Sequence, residues 1–259
     1  MMNKRLAIVA ICLACISWSW GTASAADDFR VNVHPETIRI GGNYNGAQVS
    51  VSGEAPADAD VLIRVKGQTE DYKLKKKGRA LGVLWMNLGS VDISNVPNLF
   101  LLFLPAPSGD TGQGNIAARQ GLGLDGIRKK AKIVAEGEEN DGLFEEFVKL
   151  KQKSGLYGTI DNAIRYEPGK GGLKTFKASL ELPSALPQGK FDIEVLAVKN
   201  GAVEASALYT IEAREVGMPA WIAKLAFHHG TLYGVLAVMV AILAGLLTGI
   251  LFKGQKGAH

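Results

Sequence analysis

The segment TLYGVLAVMVAILAGLLTGILF, Thr231–Phe252, decides how the rest of the chain is read. It carries no charged residue. As a helix it is about 33 Å long, against a bilayer core of roughly 30 Å. Twelve of its residues are Leu, Ile, Val or Phe. Together these favour insertion by roughly 4 to 7 kcal/mol. A soluble helix of this length would show a polar face, and this one has none. The sequence therefore predicts one transmembrane helix over 231–252. With no Asp, Glu, Lys, Arg or His, the span offers no ion or proton path of its own. Ala237, Ala241, Gly245 and Gly249 recur every fourth residue, so small side chains would form one helix-packing stripe. The plainer reading is that small residues are common in membrane helices anyway.

Just upstream, MPAWIAKLAFHHG places Met218, Trp221, Ile222 and Leu225 at helical spacing. Trp221 and Tyr233 are the aromatic types that favour headgroup depth, so residues 218–229 are expected to be an interfacial helix. His228 and His229 are adjacent and would point about 100° apart on a helix, which makes a poor chelating pair. No metal site is expected.

At the other end, Lys4 and Arg5 precede the apolar run LAIVAICLACI, and Ala23 and Ala25 follow in an A-x-A pattern. This is the grammar of a secretory signal peptide over residues 1–25. Cys12 and Cys15, the only cysteines, fall inside its hydrophobic part. Their C-x-x-C spacing thus lacks the context of a redox or zinc motif. A lipoprotein reading would make Cys15 the modified residue, and an uncleaved anchor is a third alternative. Cleavage would leave a chain without cysteine, held together by its core alone. An export signal followed by a stop-transfer helix, with Lys253 and Lys256 behind it, gives a single-pass type I orientation. The expected location is a bacterial inner membrane, with a periplasmic body over 26–217 and a cytoplasmic tail over 253–259.

The whole chain carries a formal charge of +4. Setting aside Lys4, Arg5, Lys253 and Lys256 leaves 25 basic against 25 acidic residues in the exported part. A neutral exported body argues against nucleic acid as a partner. Its first half holds short alternating runs, VNV, TIRI, AQVSVS and DVLIRVK, bounded by turn residues. LFLLFLP, residues 99–105, is continuously apolar, as a strand buried on both faces should be. Strands return after residue 157, and Asn200-Gly201 marks a tight hairpin between the last two. The pattern predicts a mainly β fold, an immunoglobulin-like β-sandwich. IRKKAKIV and DGLFEEFVKLKQKSG read as helices, which makes residues 108–156 a helical insertion in that sandwich. In the second, Asp141 would cap, Glu145 and Glu146 fill the first turn, and Lys149, Lys151 and Lys153 the last.

Few residues invite a chemical reading. YKLKKKGRA would place Lys73, Lys75, Lys77 and Arg79 on one strand face, a surface for anionic headgroups or a small oxyanion. The plainer reading is an edge strand protected by lysines. Gly112-x-Gly114-x-x-Ala117 is only faintly like a dinucleotide loop, without a βαβ unit around it. The exported histidines are His34, His228 and His229. H-E-x-x-H, G-x-S-x-G and S-x-x-K are absent, and the acidic run EGEENDG has no EF-hand register. No catalytic residues and no cofactor are expected.

Three stretches nevertheless resemble a known family. LPQGKFDIEVLAVKNGAVEASALYTIEAREVGMPAWIAKLAFHHGTLYGVLAVMVAILAGLLTGILF is similar to the C-terminal half of an uncharacterised bacterial family. That family is catalogued as "putative transmembrane protein" and was first noted in alphaproteobacteria. KGRALGVLWMN, with Gly82, Trp85 and Asn87, is similar to its basic-Gly-Trp-Asn segment, and VPNLFLLF is similar to the apolar segment downstream of it. The resemblance implies an export signal, a β-rich periplasmic domain, one C-terminal span, and an association with permeases of the sulfite-exporter type. It carries over no catalytic residues. The expectation is a non-enzymatic accessory subunit in the lipid bilayer, with an integral membrane protein partner or self-association through the span. The alternatives are a periplasmic binding module for an anionic ligand or envelope polymer and, third, a periplasmic enzyme.

Overall fold

A computed structural model of the chain describes residues 29–80, 84–106, 121–135 and 142–252. The expected signal peptide, the tail, the Gly112–Ala117 loop and the acidic residues Glu136 to Asp141 lie outside the described residues. The prediction of a mainly β chain with one C-terminal apolar helix holds. Twelve described strands form two sheets.

The larger sheet takes β1 (Arg30–His34), β2 (Thr37–Ile40), β3 (Ala47–Pro56), β4 (Asp60–Lys66), β7 (Phe100–Pro105) and β9 (Tyr157–Pro168). It is completed by β10 (Leu173–Leu182), β11 (Gly189–Lys199) and β12 (Ala202–Glu215). Its order is β1-β3-β10-β9-β7-β4-β11-β12-β2. Only Pro35 and Glu36 separate β1 from β2, yet β1 pairs with β3 at one end and β2 pairs in parallel with β12 at the other. The sheet therefore curls until its two ends meet. The Tyr209 hydroxyl of β12 donates to the Val31 carbonyl of β1 at 2.5 Å across that junction. Val49, Ile63, Phe103, Phe176, Phe191, Ile193 and Ile211 fill the inside as one core.

A second core lies on the outer face of β4, β7 and β11. There Leu62, Leu102, Leu104 and Leu196 meet Ile93 and Val96 of a smaller sheet. That sheet has the order β5 (Thr69–Ala80), β6 (Leu84–Pro97), β8 (Lys132–Ala135). Two helices close it, α1 (Leu124–Arg128) and α2 (Leu143–Lys153), and Phe144, Phe147 and Val148 of α2 enter the same core. β7 is consequently buried at every position, as its unbroken apolar run predicts. Full burial of each Leu or Phe contributes roughly 1.5–3 kcal/mol, so this one strand anchors two cores.

The helix expected across IRKKAKIV is corrected. α1 ends at Arg128, and Lys132–Ala135 pairs with β6 as a strand. Lys132 and Val134 are exposed while Ile133 and Ala135 turn toward the core, a period of two that pairing with β6 selects over helix. Residues 108–156 thus contribute a strand as well as helices. α2 begins at Gly142, whose φ of 85° supplies the entry without a capping side chain. The Asn200-Gly201 hairpin forms as expected, with both residues at positive φ (50° and 77°). Beyond β12, α3 (Met218–His228) leads through His229 alone into α4 (Gly230–Phe252).

Gly53 shows how tightly the curled sheet is drawn. A Cβ there would lie 2.0 Å from the Arg30 carbonyl oxygen and 2.8 Å from the Phe176 ring. Gly53→Ala is expected to cost about 3 kcal/mol in urea unfolding of the full chain in detergent. Gly42→Ala, with nothing within 4 Å of its Cβ, should stay within about 0.5 kcal/mol.

Candidate functional site

The two sheets share a seam. β4 passes into β5 through Gly67 and Gln68, and β6 passes into β7 through Asn98 and Leu99. Gly67 N–H donates to Leu99 O at 2.9 Å and Asn98 N–H to Gln68 O at 2.8 Å, so the ladder continues across the crossing. The buried Asn98 side chain lies over Gly67, where any Cβ would sit 1.8 Å from Asn98 Oδ1. Only glycine permits that approach.

Beside the seam lies a polar cluster. Asn98 Nδ2 donates to Glu70 Oε1 at 2.7 Å, and the Tyr72 hydroxyl donates to Glu70 Oε2 at 2.7 Å. The Lys151 ammonium stands 3.8 Å from the Tyr72 ring centre, and the Tyr157 hydroxyl donates to Pro97 O at 2.6 Å. Burial pushes the Tyr72 and Tyr157 hydroxyls far above their usual range, and the nearby Glu70 carboxylate adds to it. Burial pulls the Lys151 ammonium down, partly countered by Glu70. With both Glu70 oxygens occupied, the cluster locks β5 to the seam and α2 rather than presenting a reactive group.

Phe100, whose ring meets Tyr157 edge-on at 6.1 Å, also lines a cavity of about 130 Å³ between β4 and α1. Arg64, Lys66, Thr69, Asn95 and Lys130 surround its opening. Arg64 Nε donates to Glu194 Oε2 at 2.9 Å and its Nη2 contacts the same oxygen. Lys66 and Lys130 have no acidic partner within salt-bridge distance among the described residues. Asn95, at φ 63°, ties the rim together: its Nδ2 donates to Lys130 O at 2.8 Å and its N–H to Asp71 Oδ1 at 3.0 Å.

The residues singled out in the sequence fall elsewhere. Lys73 and Lys75 are exposed on β5, an edge strand, with Lys73 opposite Asp92 of β6. Lys77 and Arg79 continue that strand, and their side chains lie outside the described residues. Ala237, Ala241, Gly245 and Gly249 all lie on α4, which is exposed along its length, with nothing within 4 Å of a Cβ at Gly245 or Gly249. The Thr248 hydroxyl in this helix donates to Ala244 O at 2.7 Å, which satisfies it without water. Trp221 of α3 and Tyr233 of α4 are exposed on either side of His229, together with Phe227. His34, His228 and His229 are exposed, and none belongs to a group of three or more metal-ligating side chains among the described residues.

Two features escape the linear pattern. Lys151 reads as a solvated cation of the last helical turn, yet it is buried. It sits four residues after Phe147 and so shares that residue's inward face. The cavity joins Arg64 and Lys66 to Lys130, residues that meet only through the seam.

Lys151→Met tests the electrostatics. A lysine whose folded pKa is lowered binds fewer protons folded than unfolded. Wild-type stability should therefore rise relative to Lys151→Met as pH climbs toward the ordinary lysine value of about 10.4. At pH 7 the variant should be at least as stable as the wild type. Paired urea titrations at several pH values read this out, and a difference flat with pH would contradict it.

The chain also bears comparison with known proteins. No curated protein matches it. Its residues 28–254 match a family described as "Putative transmembrane protein (Alph_Pro_TM)". That match runs from the first strand through the seam to the end of the apolar helix, and the chain belongs to this family.

Proposed function

We propose that this chain is a non-enzymatic, membrane-anchored accessory subunit whose periplasmic β body stands beside a polytopic transporter in a bacterial inner membrane. The observation that carries the reading is α4. It is a 23-residue apolar helix, and no part of it is buried against the body. Such a helix finds its packing partners in the membrane, and small residues let another helix approach closely. The stripe of Ala237, Ala241, Gly245 and Gly249 supplies that face. A single span without ionisable residues conducts nothing itself, so transport would belong to the partner. α3 supports the arrangement: Trp221 and Phe227 are exposed next to the span, where aromatic side chains suit headgroup depth. The family resemblance favours a permease of the sulfite-exporter type as that partner.

The test is crosslinking in native membranes followed by mass spectrometry of the full chain. The wild type should capture one polytopic membrane protein reproducibly. Replacing Gly245 and Gly249 together by Leu should reduce that capture at least about tenfold, with the β body still folded by circular dichroism. Undiminished capture by the double variant, or a wild type that captures only itself, would overturn the accessory reading.

A further inference from the structure

We propose that the cavity between β4 and α1 binds one small, multiply charged oxyanion group of the phosphate or sulfate kind. Its opening brings together three cationic side chains, Arg64, Lys66 and Lys130, with the Thr69 hydroxyl and the Asn95 amide beside them. No carboxylate is among the described lining residues. Lys66 and Lys130 are unpaired among the described residues, and Arg64 keeps N–H donors beyond those it gives to Glu194. Asp192 faces Lys66 across the β4–β11 register but accepts from the Thr210 hydroxyl at 2.9 Å. The floor is apolar, with Phe100 and Ile127 both buried, which lowers the local dielectric and strengthens attraction to an anion. Size narrows the class further. At about 130 Å³ the cavity falls well below the roughly 300–1,000 Å³ of sites for drug-sized ligands, and it suits a single oxyanion group. Paired lysine and arginine charges with neutral hydroxyl and amide donors are the chemistry that recognises such a group. The site stands on the cavity alone, whether or not the body docks on a transporter.

Thermal unfolding of the full chain in neutral-detergent micelles tests it, with sodium phosphate titrated against sodium chloride at matched ionic strength. Phosphate should give a saturable rise in Tm. Lys66→Gln combined with Lys130→Gln should weaken the half-saturation at least about tenfold, because both side chains are exposed and the fold does not need their charge. Lys73→Gln with Lys75→Gln, outside the cavity, should leave it unchanged. A second arm places the chain in nanodiscs with or without phosphatidylglycerol. A shift confined to the anionic lipid and lost in Lys66→Gln/Lys130→Gln assigns the site to a lipid phosphate, and a shift with free phosphate assigns it to a soluble ion. An equal, non-saturating rise in the wild type and both double variants is the general salting effect of phosphate and overturns the proposal.

Discussion

Strand β7 touches water on neither face, and the body is organised around that constraint. Its inward side chains, Leu101 and Phe103, belong to the core of the curled sheet, while Phe100, Leu102 and Leu104 belong to the core beneath α2. A strand placed this way needs neighbours on both edges and cover on both faces. β4 and β9 supply the edges. The curl of the large sheet covers one face, and the small sheet with α1 and α2 covers the other. Because both cores share the same backbone, neither can be lost without exposing the other side of β4 and β7.

The seam is where this constraint becomes geometry. The chain leaves the large sheet after Lys66 and returns to it at Phe100, and its outgoing and incoming limbs remain hydrogen-bonded as they cross. Asn98 lies over Gly67 and reaches Glu70, which also holds Tyr72 beneath Lys151. These polar contacts tie β5 to the crossing between the sheets, and the basic cavity lies beside that crossing on the β4 side. The proposed oxyanion site is in this sense a by-product of how the two sheets are joined. The anchor obeys different physics: α4 is apolar and exposed along its length among the described residues, so a bilayer rather than the β body suits its surface.

Much of this is legible in local pattern. The charge-free run from Thr231, the doubly buried LFLLFLP and the Asn200-Gly201 turn each carry their structure within a few residues, because length, apolarity or turn chemistry suffices. The face of α2 is legible through Leu143, Phe144, Phe147 and Val148. What escapes depends on distant partners. KIVA becomes a strand because β6 offers it an edge, and a basic stretch of that length suits a helix equally well in isolation. Lys151 reads as a surface charge because its residue type outweighs its place on the apolar face. The cavity has no linear signature, since Arg64 and Lys130 meet only once the seam is formed, and the conspicuous lysine run at 73–79 points to an edge strand instead.

Native-state hydrogen exchange of the full chain in nanodiscs addresses the shared strand most directly. If β7 ties the two cores into one unit, amides of β4, β7 and β11 should exchange only through global unfolding. Amides of β6 and α2 that face the second core should open with the same free energy and the same denaturant dependence. Should β6 and α2 exchange through a separate, much cheaper opening while β7 stays protected, the second core is an appendage and the account fails.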